Sequence, residues 1–313
     1  MTYWVDQSCP DRARWNEAII TEAIRMVTST YSRNGRAADD PTFQSSFRAV
    51  FGAQQDDDHD YRTPGNFWGT PFQIVEYISG SISLLTPASN QVSSNIRVYC
   101  DYDPMVSTSD PNARWKLVPD RVGDPTPNSQ KTLGVDQEWY DQINYMRRNT
   151  MTLGCQSVRP GRTTIMETFG SPIINLNGYN APNDLPYYRS VISLCPTVFN
   201  RRLSPMVSYQ DVPQNTAFGA IPNGLRNRYF NWPLSTAFAH ELRHCGPFSL
   251  LDSAGPYSYG WLNITKMTTY NGLSNADSHM WLDILAELES RQYKLNPNAP
   301  VSEGALVYDA SIS

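Results

Sequence analysis

Leu234-Ser-Thr-Ala-Phe-Ala-His-Glu-Leu-Arg-His-Cys245 sets His240, Glu241 and His244 in the order H-E-x-x-H inside a segment with an apolar body. Ala237, Phe238, Ala239 and Leu242 supply that body, and Gly246-Pro247 stop it at once. An α-helix repeats every 3.6 residues, so positions four apart stand one above the other on one face. Two imidazoles there can grip one ion. Neutral imidazole suits Zn²⁺, and a site of three protein ligands leaves a position where water is polarised towards hydroxide. Glu241 follows the first imidazole, where its carboxylate can take a proton from that water and hand it to a leaving amine. The plainer alternatives are a helix whose imidazoles are hydrogen-bonded core groups, or one that binds zinc without catalysing anything. With only four His in 313 residues, two of them framing a Glu at this spacing make the metal reading the stronger.

The rest of the chain narrows the class. Hydrophobic residues are 40% and charged residues 18%, with 23 Pro and 18 Gly, which describes a loop-rich globule rather than a disordered chain. A net charge of −5 with scattered basic residues argues against nucleic acid or an anionic membrane as partner. No apolar run is long enough to span a bilayer. Met1-Thr-Tyr-Trp-Val-Asp6 lacks the basic and apolar parts of a signal peptide, so the chain is cytosolic or begins after a processing site. Cysteine favours the second: residues 9, 100, 155, 195 and 245 are widely spaced with no C-x-x-C pair, the pattern of long-range disulfides in a secreted protein. Two bridges and one odd thiol are expected, Cys245 being either the odd residue or the partner of Cys195. Asn263-Ile-Thr265 is a glycosylation sequon consistent with secretion.

Hydrophobic spacing predicts helices over 11–33 (Trp15, Ile19, Ile20, Ala23, Ile24 and Val27, with Asp11 as cap), 42–51 (Phe43, Phe47, Val50) and 73–85, the last broken or kinked at Gly80. The run 56–60 reads as a solvated acidic loop, since an EF-hand's glycine and distal Glu are missing. Strands are expected over 94–100, 163–168 and 190–195, a surface excursion over 104–134, and a final helix over 275–293 with Trp281, Ile284, Leu285 and Leu288 facing inward. No linker separates independent domains. The expectation is one domain, 1–313, with an N-terminal helical part (1–90), a strand- and loop-rich part (91–200) and a metal-binding helical part with its tail (201–313).

These pieces follow a recognisable order: Cys9 before a long helix, Val98-Tyr-Cys-Asp101, Ile192-Ser-Leu-Cys-Pro-Thr-Val-Phe199, the 240–244 motif, Tyr259-Gly260, then Asn275-Ala-Asp-Ser278 opening a helix. From Cys9 to the last helix the chain resembles the deuterolysin and peptidyl-lysine metalloendopeptidase type of fungal secreted zinc peptidases, the aspzincins, in a divergent branch. The resemblance implies an α+β, mostly helical, zincin-like domain with a small antiparallel sheet, acting as a monomeric endopeptidase on a peptide or protein substrate. It implies His240 and His244 as zinc ligands and Glu241 as general base. In that family an Asp in a Gly-Thr-x-Asp-x-x-Tyr-Gly motif is the third ligand, and its Tyr supports the oxyanion. Here Asp252 stands eight residues past His244, but Ser249-Leu-Leu replaces the residues before it, and Tyr259-Gly260 follow seven and eight residues after it instead of three and four. Asp277 and His279 are the rivals to Asp252. Asp277 could cap the last helix, orient a ligand imidazole, or ligate directly. Tyr257 is the alternative to Tyr259 as oxyanion donor. The competing class is a secreted zinc-binding protein on the same scaffold without peptidase activity. Retention of Glu241 separates the two, because a binder gains nothing from a carboxylate beside activated water.

Overall fold

The computed structural model describes residues 1–53, 57–100, 114–120, 122–123, 125–131, 137–149, 165–170, 189–195, 234–252 and 259–312. The protein is α+β and falls into two compact units, each drawn from separated parts of the chain. One holds Met1, Ala13–Leu85 and Met206–Ser313; the other holds Thr2–Arg12 and Thr86–Pro205. The helical first and last parts expected from the sequence thus belong to the same unit.

Arg12–Arg14 (α1), a π-helical stretch Trp15–Ile20 and Thr21–Asn34 (α2) run on from one another, and from Ala13 onward they belong to the helical unit, burying Trp15, Ile19, Ile20, Ala23 and Val27. Asp11, expected as the cap, has φ 52°, a left-handed conformation that cap residues do not adopt. Pro41–Phe51 (α3) starts where Asp40 Oδ1 accepts the Phe43 N–H at 2.9 Å and ends at Gly52. Pro71–Ser83 (α4) opens with a capping box between Thr70 and Gln73. It runs unbroken through Gly80, contrary to the expected kink. A Cβ there would lie 2.9 Å from the Tyr31 ring, so this glycine serves close helix packing rather than helix termination.

Leu234–His244 (α5), Trp261–Ile264 (α6), Thr269–Leu273 (α7) and Ala276–Glu289 (α8) complete the helices. Helix α8 ends four residues earlier than expected and is buried on every side, not only along its apolar stripe. Its acidic residues are tolerated there because neighbouring helices answer them. Arg243 of α5 pairs with Asp283 at 2.6 Å, Thr30 of α2 donates to Asp283 at 2.8 Å, Arg25 pairs with Glu287 at 3.0 Å, and Ser46 of α3 donates to Glu289 at 2.6 Å. Beyond α8, Tyr293–Leu295 pairs antiparallel with Leu306–Tyr308, so the tail is partly sheet. The described part of the acidic run, 57–60, is a loop with His59 exposed and edge-on to Tyr61.

The strand unit holds a five-stranded sheet in the order Thr86–Pro87, Thr2–Val5, Ile96–Tyr99, Ser190–Leu194, Met166–Gly170, parallel throughout except for the last pair. The main sheet is therefore mixed rather than antiparallel. A separate antiparallel sheet, Trp115–Leu117, Glu138–Asp141 and Met146–Asn149, begins inside the stretch read as a surface excursion and buries Trp115 and Trp139. Its strands are too short to announce themselves by alternation, and pairing alone defines them. Cys9 and Cys100 form a disulfide, Cys195 is also disulfide-bonded, and among the described residues buried Cys245 is in no disulfide; Cys155 lies outside the described residues.

Asp283→Ala leaves the Arg243 guanidinium buried without its counter-charge, and chemical denaturation should register a loss of about 3–5 kcal/mol. Thiol titration of the denatured, unreduced protein should count about one thiol; a count of five removes the disulfide-stapled reading.

Candidate metal centre

Helix α5 forms over the expected stretch and ends on His244. Phe238, Leu242 and Cys245 lie against the core, Ser235 donates to Glu22 at 2.6 Å, and Arg243 pairs with Asp283 at 2.6 Å while bonding the Ala239 carbonyl at 2.5 Å. These contacts set the helix's rotation. The opposite face then presents His240 and His244 one turn apart, their Nε2 atoms 3.0 Å from each other.

The chain next folds back on itself. Ser249, at φ 48°, lets the Leu250 N–H return to the Arg243 carbonyl at 2.9 Å. The Leu250 carbonyl accepts His244 Nδ1–H at 2.6 Å, which leaves the Nε2 lone pair turned to the site. Leu251 bridges Asn275 in parallel, through Leu251 N–H to Ser274 O and Ala276 N–H to Leu251 O, each 3.0 Å. Pinned this way to the start of α8, the backbone delivers Asp252 with Oδ1 3.3 Å from His240 Nε2 and 3.4 Å from His244 Nε2. His240, His244 and Asp252 offer ligand atoms within 4.8 Å of one another and could hold a metal ion.

The rivals are placed elsewhere. Asp277 does not cap α8: Asn275 stands at the N-cap, where its side chain makes no capping bond, while Asp277 Oδ2 accepts from Gly260 N–H at 2.7 Å and Trp281 Nε1–H at 3.0 Å. Its Oδ1 faces His240 Nδ1 at 3.6 Å, the position of a carboxylate that orients a ligand imidazole. His279, two residues on, projects from another face of the helix. Its Nε2 meets the Leu273 carbonyl at 3.0 Å, its ring is edge-on to Phe51, and burial, aided by the Arg243 charge, pushes its pKa down to about 3. It is a core histidine, not a ligand. Tyr257 lies outside the described residues.

Glu241 is buried beside the cluster, and its charge raises the pKa of His240, His244 and Tyr259. Tyr259, 42% exposed, stacks on His240 at 5.8 Å and donates its hydroxyl to Asp252 Oδ2. Burial and then the Asp252 charge hold the phenol protonated well above its ordinary range. Burial alone would lower the His240 pKa, but Asp252, Asp277 and Glu241 outweigh it and push it up to about 10. Burial likewise opposes His244, where Asp252 leads the groups that raise its pKa. Asp252 would be raised by burial, yet the two imidazoles hold it far below the carboxylate range.

The motif gave away His240, Glu241 and His244 from spacing alone. The Leu250 carbonyl, the Leu251 bridge and the Trp281 contact to Asp277 carry no sequence signal. No protein-family model matches the chain, and no curated protein matches it.

The protein should take up about one equivalent of Zn²⁺, and His240→Ala or His244→Ala should abolish uptake in metal analysis. The raised imidazole pKa stabilises the metal-free fold fully below the ordinary value of about 6.5, and that contribution is lost as pH rises through about 10. Metal must displace this proton, so calorimetry in buffers of different ionisation enthalpy should detect proton release, and affinity should climb as pH rises above 7.

Proposed function

We propose that the protein is a secreted zinc-dependent endopeptidase on a zincin-like scaffold. The observation that carries this reading is Glu241 beside a three-ligand cluster of two imidazoles and one carboxylate. The donor set suits zinc, and the separations of 3.0, 3.3 and 3.4 Å lie close to those between donors sharing a tetrahedral ion. Such donors stand roughly 3.3–3.4 Å apart when each bond is about 2.0–2.1 Å. The Cys9–Cys100 disulfide, the disulfide-bonded Cys195 and the buried Cys245 fit an oxidising compartment.

When bound, zinc supplies Lewis acidity that lowers the pKa of water and polarises a carbonyl. The chain's own groups move the protons. Glu241 accepts one from the attacking water as the new C–O bond forms, and returns it to the leaving nitrogen as the C–N bond breaks. Tyr259, half-exposed and still protonated, can turn its hydroxyl towards the oxyanion. Asp277, held by Gly260 and Trp281, keeps His240 facing the metal. Asp283, through Arg243, keeps α5 in register with α8.

A non-catalytic zinc-binding protein is the second reading, favoured by the resting engagement of the Tyr259 hydroxyl with Asp252. Glu241→Gln distinguishes the two. It should retain zinc and fold while peptide-library cleavage falls by roughly 10²–10⁴-fold, the ordinary worth of a positioned general base. A fully metallated wild type that cleaves nothing leaves only the zinc-binding reading.

A further inference from the structure

The geometry points to Tyr259 as the residue that positions Asp252 for the metal, a role separate from any donation to an oxyanion and resting on the metal-site reading above. A carboxylate has two equivalent oxygens and a broad terminal torsion, so an aspartate ligand needs something to choose which oxygen faces the ion. At Asp252 the choice is made. Oδ1 faces both imidazoles at 3.3 and 3.4 Å, and Oδ2 receives the Tyr259 hydroxyl. The Asp252 side chain is 37% exposed, and the Leu251 bridge restrains only its backbone. The imidazoles engage Oδ1, and the phenol, by holding Oδ2, fixes the turn of the carboxylate end.

Tyr259 is itself held in place. Its ring stacks on His240 at 5.8 Å, its carbonyl accepts from Asn263 Nδ2 at 2.7 Å, and the next residue, Gly260, gives its N–H to Asp277 Oδ2 at 2.7 Å. Gly260 takes φ 85°, which lets that N–H reach the carboxylate while the Tyr259 side chain leans over the imidazole. Asp277 therefore serves both sides of the site, facing His240 through Oδ1 and anchoring the Tyr259 segment through Oδ2. With Oδ2 satisfied by a neutral donor, Asp252 offers the metal one oxygen. The Asn263 side chain of the glycosylation sequon is thereby part of the support for this arrangement.

Tyr259→Phe removes the hydroxyl and keeps the ring on His240. Its affinity for Zn²⁺, measured by competition with a chromophoric chelator, should fall roughly 10–100-fold, as when an outer partner of a metal ligand is lost. Circular dichroism should confirm the fold, and the Co²⁺ absorption spectrum should change as Asp252 is freed to bind through both oxygens. In an Asp252→Ala background the same substitution should change Zn²⁺ affinity less than about twofold, because the group it acts through is gone. Unchanged affinity and Co²⁺ spectrum in Tyr259→Phe overturn the inference while leaving the metal site standing. An equal loss in the Asp252→Ala background also overturns it, since the phenol would then act on His240. A wild type that binds no Zn²⁺ removes the metal site and this inference together.

Discussion

The buried ion pair between Arg243 and Asp283 is the constraint on which the candidate site depends. Both side chains are desolvated, and Thr30 of α2 completes the node by donating to the second Asp283 oxygen. Desolvating two charges costs several kcal/mol each, so such a pair persists only where its geometry is close and further hydrogen bonds support it. On the helical wheel Arg243 flanks the imidazole face on one side and Glu241 on the other. Fixing Arg243 against α8 therefore aims both imidazoles and the carboxylate at once. The same logic permits the full burial of α8, where Asp283, Glu287 and Glu289 meet partners from α2, α3 and α5.

Once α5 is aimed, backbone groups do most of the remaining placement. A single stretch, 249–252, turns back to Arg243, accepts the His244 N–H, bridges to the start of α8 and ends on Asp252. Leu250 and Leu251 each bond through both N–H and carbonyl, and the carboxylate arrives as the outcome of these preceding bonds. This explains how Asp252 reaches the imidazoles although the residues around it depart from the motif of the resembled family. What the position needs is a return path, and a carbonyl or an N–H supplies that whatever the side chain.

Charge balance at the centre follows from the same packing. Two imidazoles 3.0 Å apart cannot both be dissolved in apolar surroundings as cations, so a shared proton and three nearby carboxylates, Asp252, Asp277 and Glu241, settle the metal-free state. A divalent ion could take over the role of that proton with the same three side chains. Tyr259, neutral and stacked at the exposed side, adds a donor without adding charge.

The sequence by itself determined the features that rest on local periodicity and local chemistry. These are the helix carrying His240, Glu241 and His244, the burial of Trp15, Phe43 and Trp281, and the strands near 96 and 190. Such features depend on neighbours within a turn or two, and residue type reports them directly. Tertiary structure decided what depends on contacts made across long stretches of chain. It made Asp277 an orienting group rather than a cap and His279 a core residue, turned Gly80 from a break into a packing contact with Tyr31, and built a mixed sheet and a short antiparallel one where little alternation is legible. Helical spacing tells which face a side chain leaves from. Only the packed neighbours tell what it meets there.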